Sequence, residues 1–230
     1  MPTRDRRPQI PLALHCFLNQ DYPDRALFIL DDGNDSIQDL IPHDPRITYL
    51  TGTQPPHTLG SKLNTLIHAT QAPICINWDD DDWSAPQRIS DQLNRLLKSK
   101  LAVTGYNAIY YLDETTHTTH RWAWPRPTPY ALGTSACYYR AWGLRHPHRD
   151  ITRGCDSDFS LQARLNKQLT CTDAGQLMVA RYHQNSHWQH PLRNLSFPTV
   201  SPTELPKQFW QDLANTATPP QANQPPNPTS

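Results

Sequence analysis

The sequence predicts a single α/β domain in which a mainly parallel central sheet is flanked by helices. Three observations predict it. A short apolar run, Ala26 to Leu30, ends in Asp31-Asp32-Gly33. A second, Ile74 to Trp78, ends in four aspartates, Asp79 to Asp82. Between them, Leu59, Leu63, Leu66 and Ile67 fall on one face of a helix expected from Leu59 to Thr70. Short apolar runs bounded by turn residues suit strands buried on both faces. Strands alternating with amphipathic helices build α/β layers, whose ligands bind beyond the carboxyl ends of the strands. Both acidic motifs sit at such ends.

The remaining elements follow in order. Arg46 to Leu50 reads as a short strand. After the acidic run, Ser84 is placed to cap a helix with Pro86 in its first turn, and Ile89, Leu93, Leu96 and Leu97 supply an apolar stripe. Leu101 to Asp113 reads as a strand, the polar link Glu114 to His120 as a turn, and Arg121 to Trp124 as its antiparallel partner. Ser135 to Tyr139 is a further strand, Asp156 to Asn166 a helix, and Gln176 to Tyr182 a late strand. The expected organisation is a domain over 1–195, a C-terminal extension over 196–216, and a disordered Pro/Gln/Asn-rich tail over 217–230 with almost nothing to bury.

Bulk composition narrows the function. The 230 residues carry 21 basic and 21 acidic side chains, so no net field draws the molecule to nucleic acid or to an anionic membrane. No apolar run approaches the roughly 20 residues that span a bilayer, and the basic, proline-rich start is unlike a signal peptide. The 5 cysteines are odd in number and lack the short spacings of zinc or redox motifs, which suggests reduced thiols in the cytoplasm.

The run Asp79-Asp80-Asp81-Asp82 needs a physical explanation. At an effective dielectric near 20 and about 5 Å, each like-charged pair costs about 3 kcal/mol. Solvent and a helix N-terminus offset part of that. A divalent cation offsets more, and carboxylate oxygens suit Mg2+ or Mn2+ rather than zinc. Such an ion bridges readily to a diphosphate. The plainer reading, a solvated acidic turn before a helix, fits less well here, because the run follows a buried strand and is flanked by Trp78 and Trp83.

With those residues in place, the sequence resembles the family 2 glycosyltransferases of the GT-A fold. The matching segments are Pro2 to Arg6, Asn19 to Pro23, Leu30 to Gly33 with Asp35, Leu59 to Asn64, Trp78 to Pro86, Gly133 to Arg140, and Gly154 to Phe159, in the family's order across roughly residues 1–190. The resemblance implies an inverting, metal-dependent transfer from a UDP- or GDP-linked sugar to a hydroxyl acceptor. Thr3 and Asp31 or Asp32 would hold the base, and Lys62 would lie near the base or diphosphate. Asp79 and Asp81 would be the metal-binding DXD pair with Asp82 in support, and Asp80 would be the least needed of the four, on the donor side. Asp156 would be the general base. His183, at the end of the late strand, would be the third metal ligand, with His187 the alternative four residues on.

Two departures from the pattern stand out. The chain starts where the family's first strand is ending, so that strand is expected to be truncated. Cys155 replaces the usual glutamate and cannot supply its carboxylate. Other readings stay open for individual residues: Asp31 and Asp32 as a turn with Gly33, Lys62 as a solvated helix residue, Asp156 as an ordinary first-turn acid, His183 as a structural histidine, and Trp122 and Trp124 as core or as a platform for a sugar ring, with core favoured. A non-catalytic relative and a sugar nucleotidyltransferase are the competing functions; the second lacks the glycine-rich, lysine-bearing N-terminal loop expected of it. Donor sugar, acceptor and oligomeric state are not written in the sequence.

Overall fold

The computed structural model describes residues 1–52, 57–184, 186 and 197–217. Its first unit is a three-stranded parallel sheet in the order β1 (Pro2–Thr3), β2 (Leu27–Asp31), β3 (Ile47–Thr51). Strand β1 is only two residues long and pairs with Leu30 and Asp31 at the carboxyl end of β2. Strand β2 is apolar up to Asp31, and Ile29 is fully buried.

The second unit is a seven-stranded sheet built on β6 (Val103–Asp113). The first part of β6 pairs with β8 (Cys137–Tyr139) and β9 (Leu169–Asp173); its second half pairs with β7 (Thr118–Ala123) and β10 (Met178–Tyr182). Strand β4 (Ile74–Ile76) adds to β8, and β5 (Trp83–Ser84) adds to β10. The α/β class with helices around a central sheet is the one expected. The expectation of mainly parallel pairing is met in the small sheet and corrected in the large one. There β7, β8, β4 and β5 all pair antiparallel; for β7 the reason is local, since the short return at Asp113 leaves no room for the crossover that a parallel pair needs.

Among the described residues six α-helices accompany the sheets: α1 (Ile10–Leu18), α2 (Leu59–Ala69), α3 (Arg88–Ser99), α4 (Arg140–Arg145), α5 (Cys155–Leu165) and α6 (Lys207–Ala217). Helix α2 starts at Thr58, whose hydroxyl accepts the Ser61 N–H at 3.0 Å, and buries Leu63, Leu66 and Ile67 as its periodicity predicts. Gly60 lies so close to the Arg149 carbonyl that any side chain there would collide with it.

Helix α3 departs from the sequence expectation in two ways. It begins at Arg88 after Gln87, with no side-chain cap; Ser84 instead belongs to β5, opposite Met178. Its buried face is Arg88, Ile89, Gln92 and Leu96, while Leu97 is 53 % exposed. A hydrophobic-periodicity argument misses this face because two of its members are polar side chains held by hydrogen bonds within the fold.

The main core joins α1, β2, Trp78 and Trp83 to Leu112, Val179 and Phe209. Helix α6 is therefore tied to the N-terminal part of the chain. Phe209 is fully buried edge-to-face on Trp83 at 5.8 Å, and Asp212 accepts the Trp83 indole N–H at 2.9 Å. Burial of a Phe side chain stabilises by about 1.5–3 kcal/mol. The expected disordered tail, apart from Ala217, lies outside the described residues.

Candidate active site

The site lies where the carboxyl ends of β1, β2, β4 and β10 meet. Two tryptophans anchor the acidic run in the core. Trp78 is 4 % exposed and donates its indole N–H to Ala13 O at 3.3 Å, while Trp83 is fully buried under α6. The chain between these anchors carries three of the four carboxylates into one small volume.

Carboxylate oxygens of Asp79, Asp81 and Asp82 all lie within 4.8 Å of one another. Asp80 turns aside and accepts from Arg6 Nη1 at 3.2 Å. The same guanidinium nitrogen donates to Asp81 Oδ2, and His183 Nε2 lies 3.2 Å from that oxygen. Asp82 accepts from the Thr134 hydroxyl and, at 3.2 Å, from the Arg181 backbone N–H. Arg181 also donates to the Asp81 carbonyl at 3.1 Å and to Glu114 at 2.7 Å.

The charges do not balance locally, and the proton affinities follow. Burial first, then the charges of Asp81 and Asp80, push the Asp79 carboxyl up to about 7. Burial and Asp81 push Asp80 up to about 6, against the pull of Arg6. Asp82 is driven well above the usual carboxylate value by burial and by Asp81 and Asp79. Burial works on Asp81 too, but the His183 hydrogen bond and the Arg6 charge outweigh it and hold Asp81 below the usual value. Full ionisation of the cluster is therefore opposed by burial and by its own charge, which a bound cation would offset. Its donors are all hard oxygens, with one imidazole alongside, and this set fits Mg2+ or Mn2+. His187, the alternative ligand, lies outside the described residues.

Asp156 sits in the first turn of α5, after Gly154, and Asp156 Oδ1 accepts the Ser157 N–H at 2.8 Å. Its carboxylate rests on Gly133, where any side chain would occupy the same space. Gly133 O in turn accepts from Asn77 Nδ2 at 2.8 Å, one residue before Trp78. Asp156 is near enough to Asp79 for its charge to contribute to the raised Asp79 value. Cys155 beside it is fully buried against Gly60, and its thiol is pushed up to about 12 by burial and by the Asp156 charge. A neutral group thus stands where the resemblance leads one to expect a carboxylate.

The candidates on the other side of the site are bound up within the fold. Asp31 accepts from Gly33 N at 2.9 Å, Ile37 N at 3.3 Å and the Tyr49 hydroxyl at 2.7 Å. Asp32 forms an ion pair with Lys62 and accepts the His57 N–H at 2.7 Å. The Lys62 ammonium also donates to Thr3 O at 2.9 Å, so this lysine is a buried clamp joining β1, β2 and α2 rather than a solvated helix residue. The Thr3 hydroxyl lies buried close to Asp80, without a well-formed hydrogen bond. Trp122 is core. Trp124 is half-buried and stacks on Tyr130 at 4.2 Å; the Tyr130 hydroxyl is 3.2 Å from Ser157 Oγ, beside Asp156. A cavity of about 380 Å³ between β2 and β4 is lined by apolar residues such as Leu27, Leu66 and Ile74 and by none of these candidates.

Residues 1–156 match the model of glycosyl transferase family 2, more than half of the chain. The chain belongs to this family. Comparison with curated protein sequences gives no match. Solved structures with a similar fold include S. aureus TarS 1–349, at 13 % identity and TM-score 0.64 over 78 % of this chain and 58 % of that one. The same protein with UDP-GlcNAc aligns at 13 % identity and TM-score 0.63 over 81 % of this chain and 58 % of that one. The mannosyltransferase PcManGT from Pyrobaculum calidifontis, in complex with GDP-Man and Mn2+, aligns at 16 % identity and TM-score 0.62 over 81 % of this chain and 56 % of that one. These likenesses establish a GT-A fold. The alignments span less than three-fifths of the length of those structures.

The residues around the candidate site that sequence reasoning passed over are Arg6, Thr134 and Arg181, with Gly133 as the floor under Asp156. Arg6 lies inside a matched segment, Pro2 to Arg6, which was the available signal. Gly133 and Thr134 likewise lie inside the matched segment Gly133 to Arg140; Arg181 carries no such signal and matters because the sheet brings it to Asp82.

Proposed function

We propose that this family 2 member transfers a sugar from a UDP- or GDP-linked donor to a hydroxyl acceptor, with inversion at the anomeric carbon. The observation that carries this reading is the convergence of Asp79, Asp81 and Asp82 on one small volume, with Asp79 and Asp82 held above the usual carboxylate value. In this reading Asp79, Asp81 and Asp82, with His183 alongside, hold Mn2+ or Mg2+. When bound, that ion offsets the negative charge of the departing diphosphate.

The chain's own residues supply the rest. Asp156 accepts the proton of the acceptor hydroxyl as its oxygen attacks the anomeric carbon. The bond from that carbon to the diphosphate breaks, and one displacement inverts the centre. Arg6 pairs with Asp80 and Asp81 and holds both carboxylates in place. Thr3, Asp31 and Asp32 form the nucleotide side, and the Lys62 clamp fixes their strand ends as a rim for the base. The likeness to structures in complex with UDP-GlcNAc and with GDP-Man supports a donor of this class. Five free thiols support a reducing, cytoplasmic setting; among the described residues no helix is long and apolar enough to cross a membrane.

The test is release of nucleoside diphosphate from a panel of UDP- and GDP-sugars with Mn2+, alongside donor binding by calorimetry. Turnover or tight donor binding is expected for one nucleotide class. Neither binding nor turnover across the panel would refute the reading.

A further inference from the structure

Arg88 is 1 % exposed, and its hydrogen bonds go to neutral acceptors. Desolvating a guanidinium costs several kcal/mol unless its donors are satisfied. Here they are, and the choice of acceptors is informative. Nη2 donates to Asn77 O at 2.8 Å and to Thr134 O at 2.7 Å; Nη1 donates to Ser84 Oγ at 2.8 Å; Nε reaches Gln92 Oε1 at 3.4 Å. The guanidinium also lies over the Trp78 ring at 4.9 Å.

Asn77 precedes the acidic run and Ser84 follows it. The Thr134 hydroxyl donates to Asp82 within the run. One planar, rigid fork therefore closes both ends of the acidic loop and holds the segment that supports it. The charge also acts from below: Asp82 and Asp79 favour the charged guanidinium against the burial that disfavours it.

We propose that Arg88 is the positioning residue of the cation site, holding Asp79 and Asp82 in a shape that one divalent ion can bridge. This rests on the reading of that cluster as a cation site. A lysine cannot replace it: an ammonium is a compact point donor on a flexible stem and cannot span carbonyls on two loops and a hydroxyl on a strand.

The test is Mn2+ binding to the full, metal-free chain without donor, followed by the free-Mn2+ electron paramagnetic resonance signal, with a melting temperature for each protein. Arg88→Lys is expected to weaken Mn2+ binding at least tenfold in the folded protein. The apparent KM for Mn2+ in turnover should rise by a similar factor, while kcat at saturating Mn2+ falls less. Ser84→Ala, which removes one anchor and leaves Arg88 in place, is expected to weaken Mn2+ binding about threefold. Folded Arg88→Lys that melts lower but binds Mn2+ as the wild type does would overturn the proposal and leave Arg88 a core residue. If Arg88→Lys does not fold, Ser84→Ala decides, and unchanged Mn2+ binding there overturns it. A wild-type chain that binds no Mn2+ overturns the cation-site reading along with it.

Discussion

Two acidic motifs end buried strands in this chain, and they meet opposite fates. Asp31 and Asp32 follow β2, and the fold satisfies them from within: Asp32 by Lys62 and a backbone N–H, Asp31 by two backbone N–H groups and a tyrosine hydroxyl. Asp79 to Asp82 follow β4 with four carboxylates, of which Arg6 serves Asp80 and Asp81, and His183 lies against Asp81. Asp79 and Asp82 keep raised proton affinities. The difference separates an acid pair that builds the fold from a cluster that calls for something outside it. Position at a strand end does not distinguish the two; the supply of internal positive charge does.

The largest effect expected is on chemistry alone. Asp156→Asn should lower kcat by about 10²–10⁴-fold, the range for loss of a general base, while Mn2+ binding by the cluster stays at the wild-type level. Full transferase activity in that variant would remove Asp156 from the base role. Gly133→Ala, which forces the Asp156 carboxylate out of its present place, should reduce kcat in the same direction with little change in Mn2+ affinity.

Next in size is the contrast in stability. Asp32→Asn should destabilise the chain by about 3–5 kcal/mol, because it leaves the buried Lys62 ammonium without its carboxylate. Asp79→Asn should do the reverse in metal-free protein at pH 8, raising stability by about 1 kcal/mol or more, since a raised carboxyl is one whose ionisation the fold opposes. It should also weaken Mn2+ binding at least tenfold. Chemical denaturation of both variants measures the pair of signs. Equal signs would erase the distinction between the two motifs.

The smallest effect is in pH dependence. The folded Asp79 and Asp80 carboxyls, pushed up to about 7 and about 6, exceed the ordinary aspartate value of 3.8. The folded state then binds more protons than the unfolded chain between those values. Their contribution to metal-free stability is present at low pH and declines as pH rises through about 4 to 7. Mn2+ must displace the Asp79 proton, so its affinity should fall as pH drops from 8 to 6. A Mn2+ affinity that is flat over that interval would mean that Asp79 is already ionised without the ion.

How much of this was legible beforehand differs by element. Helix α2 and strands β2, β3 and β10 lie close to their expected positions, because hydrophobic periodicity and turn residues are local signals. Helices α1, α4 and α6 and strand β9 were not read from the sequence, and the start and buried face of α3 were misread, because a buried Arg88 and Gln92 look like surface residues until their acceptors are in place. Within the candidate site, Asp79, Asp81 and Asp82 were singled out from charge and context, and they are the three that the structure clusters. The roles of Arg6, Thr134 and Arg88 had no counterpart in any spacing argument.

The sequence by itself determined that two acidic runs would emerge at strand ends and that four adjacent aspartates would repel one another, since both follow from residues next to each other in the chain. Which run would be neutralised was decided only by tertiary structure. Lys62 reaches Asp32 across 30 residues, Thr134 reaches Asp82 across 52, Arg6 reaches Asp80 across 74, and His183 reaches Asp81 across 102. Electrostatic balance depends on distance in space and on burial, and the chain order of these residues specifies neither.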